Sequence, residues 1–407
     1  MPVEHVETLI IGGGQAGLVM SHRLKQRGLP HLVLERRRIA ERWRSERWGG
    51  LKFQFPNWSV KLPDFPFPHA DPDGFAASGD ILDYITAYAG FVAPPIRCGV
   101  AVTALRCREG GSGFVAETPG GAIEADNVVV ATGPYQRAIM PSVLRDEANV
   151  FQVHASAYSK PDQLPSGAVL VVGAGASGAQ IAEELLRAGR WVYLSVGRHT
   201  RLPRRYRGRD LTWWFDALGL FQMTPEQRGP IRVHPVITGA YGGHTIDFRR
   251  FAADGVTLLG RVEAAREGTI DIAPDLAQNL ANGDAIYSTF LDMADAHVKR
   301  HGLNMADDPA ARATLPDPPC LAEPLRRLDV SAAGVGAVIW ATGYGVDFGW
   351  IDVPVLDARG EPIHRGGVTN TPGLYFLGLQ WLSKMSSSFL SGVGDDAGVL
   401  ADHIAAR

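Results

Sequence analysis

The sequence predicts an α/β fold of two Rossmann-like dinucleotide-binding domains, the second inserted into the first. Three observations predict it. Gly12-Gly13-Gly14-Gln15-Ala16-Gly17 and Gly173-Ala174-Gly175-Ala176-Ser177-Gly178 are two complete G-x-G-x-x-G loops. Each follows a short apolar run, Thr8 to Ile11 and Ala168 to Val172, and each enters a helical pattern, Leu18 to Arg27 and Ala179 to Ala188. Two buried strands also close alike on either side of the second loop: Asn127 to Val130 before Ala131-Thr132-Gly133, and Val338 to Trp340 before Ala341-Thr342-Gly343. A strand, a glycine turn and a helix bring backbone N–H groups and a helix N-terminus up to a pyrophosphate. One such loop is a weak signal; two in full context are strong.

Taken in order, the first unit continues with His31-Leu32-Val33-Leu34, a strand that ends in Glu35 with Arg36 beside it. A carboxylate at this place accepts hydrogen bonds from ribose hydroxyls and repels a 2′-phosphate, which suits FAD. Glu35 to Pro68 then gathers Trp43, Trp48, Trp58, Phe53, Phe55, Phe65 and Phe67. Such a segment either packs on the core or forms a flat, water-poor slot against a planar ring, and both readings stay open. Ile96 to Arg106 and Gly113 to Thr118 read as strands of a β-meander, with Gly110-Gly111-Ser112-Gly113 as the turn. In the second unit, Trp191-Val192-Tyr193-Leu194 ends in Ser195, followed by Arg198, Arg201, Arg204 and Arg205. A hydroxyl replaces the carboxylate and guanidinium groups supply phosphate recognition, which suits NADPH over NADH. The plainer alternative for these arginines is a solvated loop.

Leu211 to Phe215 with Leu218 and Leu220 has the spacing of an amphipathic helix, and 275–301 reads as helices with Asp292, Asp295 and Lys299 facing solvent. Residues 307–319 form a loop, Leu374 to Gly378 a further apolar run, and 394–406 a closing helix. The expected division is 1–150 and 326–407 for the FAD domain, and 151–325 for the NADPH domain with a helical insert over about 200–325.

The chain has 407 residues, a formal charge of −3 and 20% charged residues, which argues against nucleic acid or a membrane surface as a partner. No apolar run approaches the length of a membrane span. The three cysteines, Cys98, Cys107 and Cys320, contain no C-x-x-C. That count excludes a disulfide scaffold, leaves no redox pair of the thioredoxin-reductase kind, and fits a cytoplasmic protein. His154, His234, His244 and His364 are scattered and read as structural or surface residues. No carboxylate–histidine spacing suggests a metal.

Beyond the loops, several segments carry a resemblance: Ile39-Ala40-Glu41-Arg42-Trp43, Pro63 to Pro68, Val153 to Tyr158 and Ala341-Thr342-Gly343-Tyr344. The chain resembles the class B flavin-dependent monooxygenases, a group of flavin-containing monooxygenases, plant auxin-synthesis relatives and bacterial flavoproteins. The family signature Phe-x-Gly-x-x-x-His-x-x-x-Tyr survives as Phe151, His154 and Tyr158 at compressed spacing, without the Trp-Pro ending of Baeyer–Villiger enzymes. That departure favours oxygenation of a heteroatom (nitrogen or sulfur) or a related reaction. The resemblance implies that Gly12, Gly14, Gln15, Ala16 and Gly17 hold the FAD pyrophosphate and Glu35 its ribose. Arg36, Arg42 and Trp43 would lie along the flavin side, the Val102 backbone at the adenine, and Ala131, Thr132 and Gly133 close on the nucleotide. Gly173, Gly175, Ser177 and Gly178 would hold NADP with Ser195 and Arg198, and Ala341, Thr342 and Gly343 would close that site. Asn57 falls where the family places an amide near flavin and nicotinamide, the one catalytic side chain the resemblance names. Ser386 to Ala397 would begin a helix near the flavin.

The implied reaction is NADPH-dependent: hydride passes to flavin, O2 adds to give a C4a-(hydro)peroxyflavin, and one oxygen goes to a small organic substrate. Two alternatives stand beside it. One is an NADPH oxidase or reductase releasing H2O2. The other is a non-catalytic redox-sensing flavoprotein that uses Trp213, Trp214 and Phe215 as an exposed patch. The oligomeric state is not readable, although enzymes of this size often form symmetric homodimers.

Overall fold

Residues 3–142, 150–228 and 235–407 are described by the computed structural model of the chain, so His234 lies outside them. The first sheet is built on β1 (Glu4–Ile11), β2 (His31–Glu35), β3 (Ile96–Cys98), β4 (Ala104–Cys107), β5 (Phe114–Thr118) and β6 (Gly121–Val130). The inner end of β1 is apolar on both faces, with Leu9 and Ile10 fully buried, as a central parallel strand requires. It pairs in parallel with β2 and β6, and the register sets Ile11 opposite both Leu34 and Val130. The strand ends are therefore level, and Gly12, Glu35 and Ala131 emerge at one edge, where parallel α/β sheets bind ligands. Helix α1 (Gln15–Gln26) makes the crossover from β1 to β2.

The meander begins later than its alternation suggests. Only β4, β5 and β6 form it, by antiparallel pairing. β3 instead extends the parallel sheet beside β2. Past it the chain folds over the end of β2, with Gly99 N–H donating to Arg37 O (3.1 Å) and Val100 N–H to Glu35 O (3.0 Å).

The second sheet is parallel throughout. Its strands are β7 (Phe151–His154), β8 (Ala168–Val172), β9 (Val192–Ser195), β10 (Thr257–Leu259) and β11 (Val335–Trp340), in the order β7-β11-β8-β9-β10. Helix α2 (Ala176–Arg187) joins β8 to β9. A correction to the expected division follows. The sequence reading returns the chain to the first unit at 326, yet β11 lies inside the second sheet, bonded to β7 and β8. The chain rejoins the first sheet at Ile351–Asp352, beside β4, and with β12 (Leu374–Phe376), beside β6. Strand pairing is non-local, so two like strands did not reveal which sheet each joins.

The insert carries α3 (Leu211–Ala217) and α4 (Leu276–His301), the second one continuous helix. Trp214, Phe215, Tyr287, Phe290 and Leu291 pack together between them. Trp214 is fully buried, Phe215 nearly so and Trp213 half-buried, so the exposed patch that motivated a sensor role is not formed. Asp295 also departs from expectation: it accepts from Tyr206 Oη (2.7 Å) and Arg207 Nε (2.6 Å) instead of facing solvent. The chain ends on α5 (Val393–Ala405), which packs on α1. Among the described residues no helix is long and apolar enough to cross a membrane.

Candidate functional site

The two glycine loops are built alike at their three motif glycines. Gly12 (φ +119°) and Gly173 (φ +102°) turn out of their strands, and a Cβ on them would lie 2.6 Å from Ala131 O and 2.5 Å from Ala341 O. Only glycine fits there. The last glycine of each loop lets the helix settle on the turn, since a Cβ on Gly17 or Gly178 would sit 1.9 Å or 1.8 Å from Gly12 O or Gly173 O. The middle glycines behave oppositely. A Cβ on Gly14 or Gly175 would meet nothing within 4 Å, and each precedes a helix whose first N–H groups receive no side-chain cap. Open space in front of uncapped N–H groups is a cradle for a pyrophosphate. Both loops fit a dinucleotide.

They open onto one cavity of about 940 Å³. From the first unit it is lined by Gly12, Gly14, Gln15 and Ala16, by Glu35 and Arg36, by Arg42 and Trp43, and by Val102. Ala131, Thr132 and Gly133 complete that side, and Gly175, Ala176, Ser177, Ala341 and Gly343 face it from the second unit. Glu35 is held in place by two backbone donors, Gly13 N–H to Oε2 (2.7 Å) and Arg37 N–H to Oε1 (2.8 Å). Gln15 donates to Ser388 O (2.8 Å), which draws the 386–392 run to the first loop, and Ser388, Phe389 and Leu390 line the cavity. The aromatic segment splits between its two readings. Trp43, Trp48, Phe53 and Phe55 line the cavity, while Phe65 and Phe67 pack against Tyr84 and Trp58 is exposed. Leu202, Phe215, Met223 and Phe290 bring an apolar wall from the insert, and the rings of Phe55 and Phe389 stand 5.1 Å apart.

Other expected residues lie elsewhere. Asn57 does not line the cavity: its backbone is tied to Gly74 O (2.9 Å) and its amide donates to Asp71 O (2.9 Å). The catalytic placement implied for it is therefore not met. Ser195 is buried, and its hydroxyl donates to Gly260 O (2.9 Å) instead of facing a ribose. Of the arginines, Arg201 is buried between Asp247 (2.5 Å) and Asp284 (2.6 Å), and Arg204 is buried against Asp210 (2.5 Å). These two hold the insert together and are unavailable to a phosphate. Arg205 donates to Gly243 O (2.9 Å), and Arg198 is exposed past the end of β9. Gly17, Gly173 and Gly178 shape the loops from behind, and Thr342 donates to Ile139 O outside the cavity.

Among the lining residues to which the sequence reading gave no role at the site are His154 and Gln180. His154 shares contacts with Ser156 Oγ (2.9 Å) and Gly343 O (3.0 Å), and burial lowers its pKa, so it is a neutral strut. Gln180 had no legible signal, because the residues sharing its helix face, Ser177, Glu183 and Glu184, are polar as well. Cys98 and Cys107 are exposed, Cys320 is half-buried, and none of them lines the cavity.

Residues 9–209 match the model of a family described as pyridine nucleotide-disulphide oxidoreductase. An uncharacterized oxidoreductase, CzcO-like, from Geobacillus kaustophilus is 35% identical over 403 residues, covering 98% of each chain. The flavin-containing monooxygenase from Stenotrophomonas maltophilia has the same fold, with a TM-score of 0.67 at 18% identity and 99% of each chain covered. The ornithine N-hydroxylase of Kutzneria, solved with reduced FAD, NADP+ and L-ornithine, superposes with a TM-score of 0.62 at 18% identity over 100% of both chains.

Proposed function

The chain belongs to the pyridine nucleotide-disulphide oxidoreductase family, in its flavin-monooxygenase-like group, and from that premise we propose an FAD-containing, NADPH-dependent monooxygenase of small organic molecules. The observation that carries this reading is the single cavity shared by both glycine loops, with Gly14 and Gly175 each opening into it. The first loop, with Glu35 at the ribose position, takes FAD; the second takes NADP.

Bound FAD supplies hydride acceptance and the activation of dioxygen. The protein binds, orients and excludes water. Glu35, fixed by Gly13 and Arg37, receives ribose hydroxyls, and the first turns of α1 and α2 receive the two pyrophosphates. Trp43, Phe53 and Phe55 supply flat apolar surface to a ring system, and the Leu202, Phe215 and Phe290 wall keeps the far side dry. No cysteine lines the cavity, so transfer of electrons onward to a disulfide has no side chain here to carry it.

Turnover with NADPH and isotopically labelled dioxygen, over a panel of amines, sulfides and ketones, tests the reading. One labelled oxygen atom in an organic product is expected. NADPH consumed across the panel with only H2O2 formed contradicts it.

A further inference from the structure

Helix α2 carries an amide with no partner. Gln180 is 4% exposed, lines the shared cavity, and has neither Nε2 nor Oε1 in a hydrogen bond. A buried amide unpaired at both ends is destabilising, so a polar group retained there calls for a ligand that pairs it. The first unit gives an internal comparison. Two residues past its last loop glycine stands Val19, a fully buried core valine. At the corresponding place in the second unit, two residues past Gly178, stands Gln180. The fold itself therefore accepts an apolar side chain at this position.

The direction of the face matters. One turn further along α2, Glu184 accepts from Tyr158 Oη (2.9 Å), and a Cβ on Gly50 would lie 2.0 Å from Glu184 Oε1. This side of the helix abuts the 48–51 loop of the first unit, beside Trp48 and Leu51 on the cavity wall. Ser195 and Arg198, at the other end of the dinucleotide path, do not line the cavity.

Resting on the NADPH reading above, we propose that Gln180 recognises the carboxamide of the nicotinamide. An amide with a free donor beside a free acceptor is satisfied in one contact by a group that presents the same pair. The carboxamide is that group at the reactive end of NADP, and Gln180 lies on the helix of the second loop, facing the first. The contact fixes the ring for hydride transfer without supplying a proton.

The test uses FAD-loaded protein and two ligands, NADP+ and its 3-acetylpyridine analogue, which keeps the acceptor and lacks the donor. Calorimetry of wild type is expected to show about tenfold preference for NADP+. In Gln180→Leu that preference disappears, while the unfolding temperature without NADP+ does not fall. Gln180→Met, close in size and without donor or acceptor, serves if the leucine variant folds poorly, and it too loses the preference. Undiminished preference in the variants overturns the proposal, as does a lower unfolding temperature with unchanged affinity, which would pair the amide inside the protein. Loss of FAD with the preference intact assigns the amide to the flavin and also overturns it. Wild type that fails to bind NADP+ brings down the NADPH reading itself, a result distinct from the others.

Discussion

Glu35 Oε2 accepts the Gly13 N–H at 2.7 Å, and this contact brings the carboxylate back over the first loop. The approach is close enough to exclude a side chain at residue 13: a Cβ would lie 2.9 Å from Glu35 Cβ and 3.0 Å from Ile96 Cδ1. The second loop has Ala174 at the equivalent place, where the strand ends in the smaller, inward-turned Ser195. The carboxylate and the glycine are thus one device, present only in the unit assigned to FAD.

Gly13→Ala is expected to weaken FAD retention by about tenfold or more, since the ribose carboxylate must move. The flavin-to-protein absorbance ratio after gel filtration measures it. A ratio equal to wild type would contradict the role given to Glu35.

The last loop glycines separate the two cofactors. Gly17→Ala forces α1 off Gly12 O and is expected to give colourless or misfolded protein. Gly178→Ala forces α2 off Gly173 O and is expected to leave a yellow protein that NADPH reduces at least tenfold more slowly. If Gly178→Ala lost flavin as well, the assignment of the loops would fail.

Arg198 and Arg201 predict opposite phenotypes. Arg198→Ala removes an exposed guanidinium past β9 and is expected to narrow the preference for NADPH over NADH while stability holds. Arg201→Ala strips Asp247 and Asp284 of a buried cation and is expected to cost about 3–5 kcal/mol. KM for both nucleotides and the unfolding temperature distinguish them.

His154, His199 and His364 are each lowered from 6.5, burial being the first cause. The unfolded chain therefore binds more protons below that value than the folded one does. Stability held by the neutral rings is complete above 6.5 and is lost as pH falls below it. The unfolding temperature is expected to drop from about pH 7 to about pH 5, and His199→Gln is expected to flatten that slope. A slope unchanged by the substitution would remove His199 from the account.

Much of this was legible because it is local. The glycine spacing, the apolar strands before it and Glu35 after it lie within short stretches, and the loops they form are set by backbone contacts at Gly12 and Gly17 or Gly173 and Gly178. What escaped depends on distant partners. β11 joins the second sheet through β7 and β8, Arg201 finds Asp247 and Asp284, and Asn57 is claimed by the 71–74 loop. Spacing within a motif cannot reveal such pairings. Gln180 sits on a polar helix face and did not stand out in the pattern; only its burial without partners gives it meaning.

The most direct test of the central claim is anaerobic mixing of the yellow protein with NADPH, followed by rapid mixing with oxygen. Bleaching by NADPH, faster than by NADH, and then a transient absorbance belonging to neither oxidised nor reduced flavin is the predicted result. A flavin that NADPH leaves oxidised would contradict the shared-cavity account outright. Full reduction followed by immediate return to oxidised flavin with stoichiometric H2O2, with or without substrate, would contradict the oxygenase.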